Sequence, residues 1–258
     1  MRGARVRERL QRDQPVLSVM LPFPSPAVVE MLGAASVDLV MLDGEHGAID
    51  AAEIEAMVRA ADVVDLPAIV RVAHNDPPSI LRVLDAGASG IIAPHVTTAD
   101  DARRAVDAAR YGPLGHRSYG SPRAMLHGRR GDTRAYIEAA NRETLVIGLF
   151  EDAAGLDHLD AILAVPGLDA LAIGPNDLAF SMGHPAAVGH PEVQAAIDRI
   201  IAACRAAGRP TGLPASDLAQ ARSHVARGCR IISVGAAGLL IGAAREMART
   251  LASGKITS

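Results

Sequence analysis

The chain has no tryptophan, and only three tyrosines and three phenylalanines among its 258 residues. With 49% of residues hydrophobic and 2% aromatic, any core must be packed from Ala, Val, Leu and Ile. Lysine is scarcer still: of 26 basic residues only Lys255 is a lysine, close to the end of the sequence. Schiff-base chemistry needs a lysine amine desolvated in a pocket. A lysine at that position is badly placed for it, which sets aside lysine-dependent carbonyl chemistry. Two cysteines, Cys204 and Cys229, are too few for a disulfide framework. Both fall in helix- or strand-like segments and read as inert core thiols. A net charge of −3 gives no basic surface for nucleic acid and no polybasic patch for a membrane. No apolar run reaches the roughly 18 residues needed to span a bilayer. Residues 1–15 are basic but lack the apolar stretch of a secretory signal. The expectation is a cytoplasmic protein with no nucleic-acid or membrane partner.

What is present is a regular alternation. Short runs rich in Val, Ile and Leu, bounded by Gly, Pro or Asp, occupy residues 16–21, 38–43, 68–72, 90–94, 145–151, 169–174, 209–213 and 230–235. Such continuous apolar runs read as buried parallel strands. Helical patterns lie between them at 25–35, 51–61, 78–86, 99–109, 156–164, 192–207, 217–227 and 237–251. Thr98-Ala-Asp-Asp can open a helix and Ala206-Ala-Gly208 can end one. Eight strands, each followed by a helix, in about 250 residues predict a single-domain α/β fold, the (β/α)8 TIM barrel. A doubly wound open sheet would announce itself with a glycine-rich first turn, whereas the first turn here is Leu21-Pro-Phe-Pro-Ser-Pro26. Two segments depart from the plain repeat, 111–133 and 181–191. Long loops of this kind are usually functional, and 111–133 reads as an insertion at the active end of the barrel.

The C-terminal ends of barrel strands carry the chemistry in this architecture. Strand 2 ends in Asp43-Gly-Glu-His46, strand 3 in Ile69-Val-Arg71 and strand 5 in Glu151, while strand 6 leads to Asp177 in Ile173-Gly-Pro-Asn-Asp-Leu178. Singly, each has an ordinary structural reading: a helix cap, an ion pair or a surface histidine. Together, on one face, they make coherent chemistry. Glu151 and Asp177 can chelate one hard divalent cation and leave positions open for water and substrate. A 2-oxo acid can fill two of these, and the ion then stabilises an enolate oxygen as a Lewis acid. Arg71 adds a fixed charge with a planar fork suited to carboxylates. His46 is the natural proton carrier near neutral pH, with Asp43 placed to orient its ring. The turn at Gly174, Pro175, Asn176 and Asp177 can aim backbone N–H groups at a substrate carboxylate, as helix N-termini do. His95 reads as structural or supporting. His74, His116, His127, His184 and His190 carry no assignment.

At these residues the sequence resembles the HpcH/HpaI class II pyruvate aldolase family, the 4-hydroxy-2-oxoheptanedioate aldolase group. The likeness spans roughly 16–244. It rests on Leu42-Asp-Gly-Glu-His46, Val70-Arg71 with Asn75-Asp-Pro77, residues 91–96 and Tyr111-Gly-Pro-Leu-Gly-His-Arg117. Glu151, Ile173-Gly-Pro-Asn-Asp-Leu178, Met182-Gly183 and His190-Pro-Glu-Val193 complete it. The resemblance implies a barrel with Mg²⁺, Mn²⁺ or Co²⁺ at Glu151 and Asp177. It implies His46 with Asp43 in proton transfer, and Arg71 on pyruvate or its enolate. It also implies a homo-oligomer, a hexamer or a trimer, with the last helix, 237–251, packed on a neighbouring subunit. Three positions depart from the pattern. Leu149 stands where relatives often place a pyruvate-holding Gln, and Ser118 follows Arg117 in place of Gly. Pro214, beside Leu213 near the aldehyde pocket, replaces an aliphatic residue. These changes leave the metal and proton residues in place and bear on the substrate.

The leading expectation is therefore a metal-dependent lyase cleaving a 4-hydroxy-2-oxo acid to pyruvate, or a close analogue, and an aldehyde. One alternative keeps the enolate and changes the electrophile, as in citrate lyase β-subunits or acyl-CoA lyases, with the Arg-rich stretch 123–134 meeting CoA phosphates. Another is a barrel that binds a metal or metabolite without turnover.

Overall fold

The structure, a computed structural model, describes residues 3–129 and 131–253; Lys255 lies outside them. Eight strands run β1 (Val16–Leu21), β2 (Leu39–Asp43), β3 (Ala68–Arg71), β4 (Gly90–Ala93), β5 (Leu145–Phe150), β6 (Ala170–Ile173), β7 (Thr211–Pro214) and β8 (Ile231–Gly235). Each pairs in parallel with the next and β8 returns to β1, closing the (β/α)8 barrel that the alternation predicts. The strand bounds match the sequence reading to within two residues at either end.

Alternation along each strand sorts side chains into two cores. Val16, Leu39, Met41, Ile69, Ile147, Leu149 and Ile231 point inward and fill the barrel. Their neighbours Val19, Val40, Leu42, Val70, Val146 and Leu171 face the helical layer. Continuing the inward parity past the last packed layer reaches Asp43 after Met41, Arg71 after Ile69 and Glu151 after Leu149. The polar site is thus the top layer of the barrel interior.

Caps fix where the helices start. Helix α2 (Pro26–Ala34) opens on Ser25, whose hydroxyl accepts the N–H of Val28, with Pro26 in the first turn. Helices α3 (Ala51–Val63) and α5 (Ala99–Ala109) open on reciprocal capping boxes, Asp50 with Glu53 and Thr98 with Asp101. Asp76 caps α4 (Pro77–Asp85). Helix α9 (Pro191–Ala206) stops where expected, with Gly208 left-handed at φ +63°. Helices α7 (Leu159–Leu163), α10 (Leu218–Arg227) and α11 (Ala236–Ala252) complete the outer layer.

Three helices lie outside the sequence reading. Helix α1 (Gly3–Gln11) sends Val6 and Leu10 into the inner core and covers the N-terminal end of the barrel. Helix α6 (Thr133–Glu143) precedes β5, and the short α8 (Pro175–Ser181) follows β6.

The segment 111–133 is a correction. It does not lie at the active end. It follows the C-terminus of α5, so it starts where helices have returned to the N-terminal end of the barrel, and it stays there. Arg117 pairs with Asp85 at the end of α4 at 2.9 Å and covers the Tyr111 ring at 4.6 Å. Arg123 pairs with Asp62 in the last turn of α3 and donates to the carbonyl of Ala86.

Candidate active site

The inward top layer opens into a cavity of about 280 Å³ at the C-terminal end of the barrel. His46, Arg71, Glu151 and Asp177 all line it, so residues from four separate strand ends converge as expected. Gly174, Pro175 and Asn176 form one wall, and Leu213 and Pro214 another. The floor is apolar and includes Ile147 and Leu149. Leu149 thus puts an aliphatic side chain where the resemblance expects an amide.

Asp43 lies beneath the lining, only 2% exposed. Register explains its contact with Arg71, since the two residues are direct partners across β2 and β3. The guanidinium lies bidentate on the carboxylate, with Nε to Oδ1 at 2.9 Å and Nη2 to Oδ2 at 2.7 Å. Glu45 closes on Nη1 at 3.2 Å. Burial opposes the charge of Asp43, but the hydrogen bonds and charge of Arg71, with N–H donors from His46 and Glu45, outweigh it. The carboxyl is held below its ordinary value.

Those two N–H bonds, each 3.2 Å to Asp43 Oδ1, define the link to His46. Asp43 reaches the main chain of His46, and the other recorded contacts of its carboxylate go to Arg71 and Glu45. The expected orientation of the His46 ring by Asp43 is not seen: the carboxylate accepts the main-chain N–H of His46, and His46 is exposed at the cavity edge.

Glu151, 2% exposed, accepts the N–H of His95 at 3.0 Å. Burial pushes its pKa up, and the charges of Glu45 and Asp177 push the same way against the pull of His95. Its carboxylate packs on Gly174, where a Cβ would fall 2.7 Å from Oε2. Burial likewise opposes charge on His95, but the hydrogen bond to Asp152 and the charges of Glu151, Asp152 and Glu45 raise its pKa overall. Glu45, His95 and Glu151 bring potential ligand atoms within 4.8 Å of one another. Glu45 escaped the sequence reading, and His95, read there as structural or supporting, was not linked to Glu151. Glu45 sits inside the Asp43–His46 motif, and His95 follows β4 at the active end; those were the available signals.

The donor chemistry fits a hard divalent cation. Glu151 is a buried carboxylate whose ionisation is opposed by other acids, and Asp177 stands on the adjacent βα unit within reach of its charge. A divalent cation relieves such repulsion and prefers oxygen ligands. The thiols play no part: Cys204 and Cys229 are free and buried, and burial pushes their pKa values up to about 12 and about 11.

A family profile for the HpcH/HpaI aldolase/citrate lyase group matches residues 17–244. The chain belongs to this family. It is 37% identical over 238 residues to a hydroxypyruvate/pyruvate aldolase of Paraburkholderia phytofirmans, covering 90% of both chains. It is also 37% identical over 212 residues to a 5-keto-4-deoxy-D-glucarate aldolase of Salmonella arizonae, covering 82% of both. A crystal structure of an HpcH/HpaI aldolase/citrate lyase family protein from Burkholderia cenocepacia J2315 superposes with a TM-score of 0.90. That match is at 35% identity and covers 96% of this chain and 98% of that one. This HpcH/HpaI family member is accordingly an enzyme, a carbon–carbon lyase of the aldolase type, which sets aside a barrel without turnover.

Proposed function

We propose that the enzyme is a divalent-cation-dependent aldolase. It cleaves a 4-hydroxy-2-oxo acid to an aldehyde and pyruvate, or a close analogue such as hydroxypyruvate. One observation carries this reading: Arg71, locked bidentate by buried Asp43, shares a cavity with the buried carboxylate Glu151 and with Asp177. The hydroxypyruvate/pyruvate aldolase among the relatives supports it.

Glu151 and Asp177 would hold Mg²⁺, Mn²⁺ or Co²⁺, which when bound supplies a Lewis acid for the keto oxygen of a 2-oxo acid. Arg71 spends two N–H groups on Asp43, with Glu45 an ion-pair contact of Nη1, and keeps others for substrate oxygens. Its charge is fixed before substrate arrives, so it stabilises the enolate oxygen without reorganisation. His46, exposed at the cavity edge, takes the proton of the 4-hydroxyl as the C3–C4 bond breaks and returns one to C3 of the enolate. The N–H groups of Asn176 and Asp177, in the first turn of α8 after Gly174 and Pro175, lack intrahelical acceptors and suit the substrate carboxylate. Leu213 and Pro214 form the wall on the aldehyde side.

The citrate lyase-like or acyl-CoA reading loses its main support. Arg123 is committed to Asp62 and Ala86 at the end of the barrel away from the cavity. Assembly as a homo-oligomer, a hexamer or trimer, is supported by α11. No residue of α11 is buried, and Leu240, Met247 and Leu251 are exposed by 71%, 68% and 64%.

The test is a metal-supplemented screen of aldehydes with pyruvate and hydroxypyruvate, run beside Asp177→Ala. Metal-dependent aldol addition in the wild type, lost in the variant, is expected. Equal rates in EDTA would refute the proposal.

A further inference from the structure

His95 takes no step in the reaction proposed above, yet it engages Glu151 twice. It follows β4 with φ at +51°, a left-handed conformation that few non-glycine residues adopt and that clusters at functional sites. The turn aims its main-chain N–H at Glu151 Oε1, 3.0 Å away. The ring comes back toward the same oxygen: Nδ1 hydrogen-bonds Asp152 Oδ2 at 3.1 Å and stands 3.4 Å from Glu151 Oε1, within ion-pair reach. Carboxylate oxygens accept, so Nδ1 carries the hydrogen. Nε2 faces Glu45 Oε1 at 3.8 Å, so the ring is braced between acids from β2 and β5. The other oxygen of Glu151 looks elsewhere. Oε2 lies against Gly174, three residues before Asp177.

We propose that His95 is a positioning residue for Glu151: its N–H holds Oε1 and its ring, anchored on Asp152, stands beside the same oxygen, so that Oε2 is presented to a cation shared with Asp177. This rests on the reading of Glu151 and Asp177 as the metal carboxylates. Partners that orient a ligating carboxylate set metal affinity as well as rate. The sequence carries this role on one histidine, placed by a strained turn.

The experiment is Mn²⁺ binding followed by loss of the free-ion EPR signal, with nitrogen hyperfine coupling recorded on the bound ion. It compares wild type, His95→Ala, His95→Asn and Asp177→Ala, each with a metal-free melting curve. Wild type binds and Asp177→Ala does not. His95→Ala binds about 10–100-fold more weakly at an unchanged melting temperature. His95→Asn keeps a donor, tolerates the left-handed turn and recovers most of the affinity. Wild-type affinity in His95→Ala overturns the positioning role and leaves the proposed function standing. So does a nitrogen coupling that vanishes in His95→Ala, which would make His95 a ligand. Binding in Asp177→Ala equal to wild type, or none in wild type, refutes the proposed function and this inference with it. His95→Gly, which relieves the turn, replaces the alanine variant on the same criterion if that variant does not fold.

Discussion

Arg71 supplies the fixed positive charge of the cavity, and Asp43 decides where it points. Removing that carboxylate leaves a guanidinium only 13% exposed with Glu45 as its remaining recorded partner. Asp43→Asn should cost about 3 kcal/mol of stability, the usual penalty for breaking a buried pair from one side. It should also lower kcat/KM about 10²-fold through misplacement of Arg71 and His46. Urea melts and steady-state kinetics check both. The pH dependence follows in sign. Asp43 titrates lower in the folded chain than its ordinary 3.8, so its contribution is complete above the unfolded value and is lost as pH falls through it toward the folded one. Urea melts at a series of pH values below roughly pH 5 should show a shallower loss of stability in Asp43→Asn than in wild type. Asp43, Arg71 and Glu151 stood out in the sequence because a polar residue follows an apolar run there, and Asp177 because of the Gly-Pro-Asn-Asp turn after β6. The bond between Glu151 and His95, 56 residues apart, was not. It depends on a left-handed turn at His95 that no residue pattern announces.

Elements are positioned by close packing at a few junctions. Between β5 and β6, Gly174 leaves room for the Glu151 side chain. In Gly174→Ala the new Cβ would lie 2.7 Å from Oε2 and 2.8 Å from Cβ of Glu151. This variant should fold and lose most of its Mn²⁺ affinity, as measured by titration. At the other end, Arg123 ties the 111–133 segment to α3 and α4. Arg123→Ala should cost about 2 kcal/mol, the scale of a lost charged hydrogen-bond set, and lower the melting temperature by several degrees without changing Mn²⁺ affinity. The buried strands were legible from their apolar runs. Helix α1 was not, because it buries only Gly3, Val6 and Leu10 under an arginine-rich surface. Helix α8 has seven residues and opens on Pro-Asn-Asp, so it reads as a turn. The 111–133 segment was misplaced because a segment between a helix and the next strand belongs to the N-terminal end of the barrel, however functional its composition looks.

At the scale of the molecule, α11 leaves an apolar surface that the described residues do not cover. Leu240→Glu with Met247→Glu should shift the mass in solution from an oligomer toward the monomer, as read by sedimentation or light scattering. A wild-type monomer would contradict the assembly. The barrel itself rests on alternation, and the inner and outer cores follow from strand parity. The reaction rests on one claim: Glu151 and Asp177 hold a cation on which enolate formation from a 2-oxo acid depends. Exchange of pyruvate methyl protons in D₂O reads that step without needing the natural aldehyde. Metal-loaded wild type should exchange them, while EDTA-treated protein and Asp177→Ala should not. Undiminished exchange in EDTA would contradict the account.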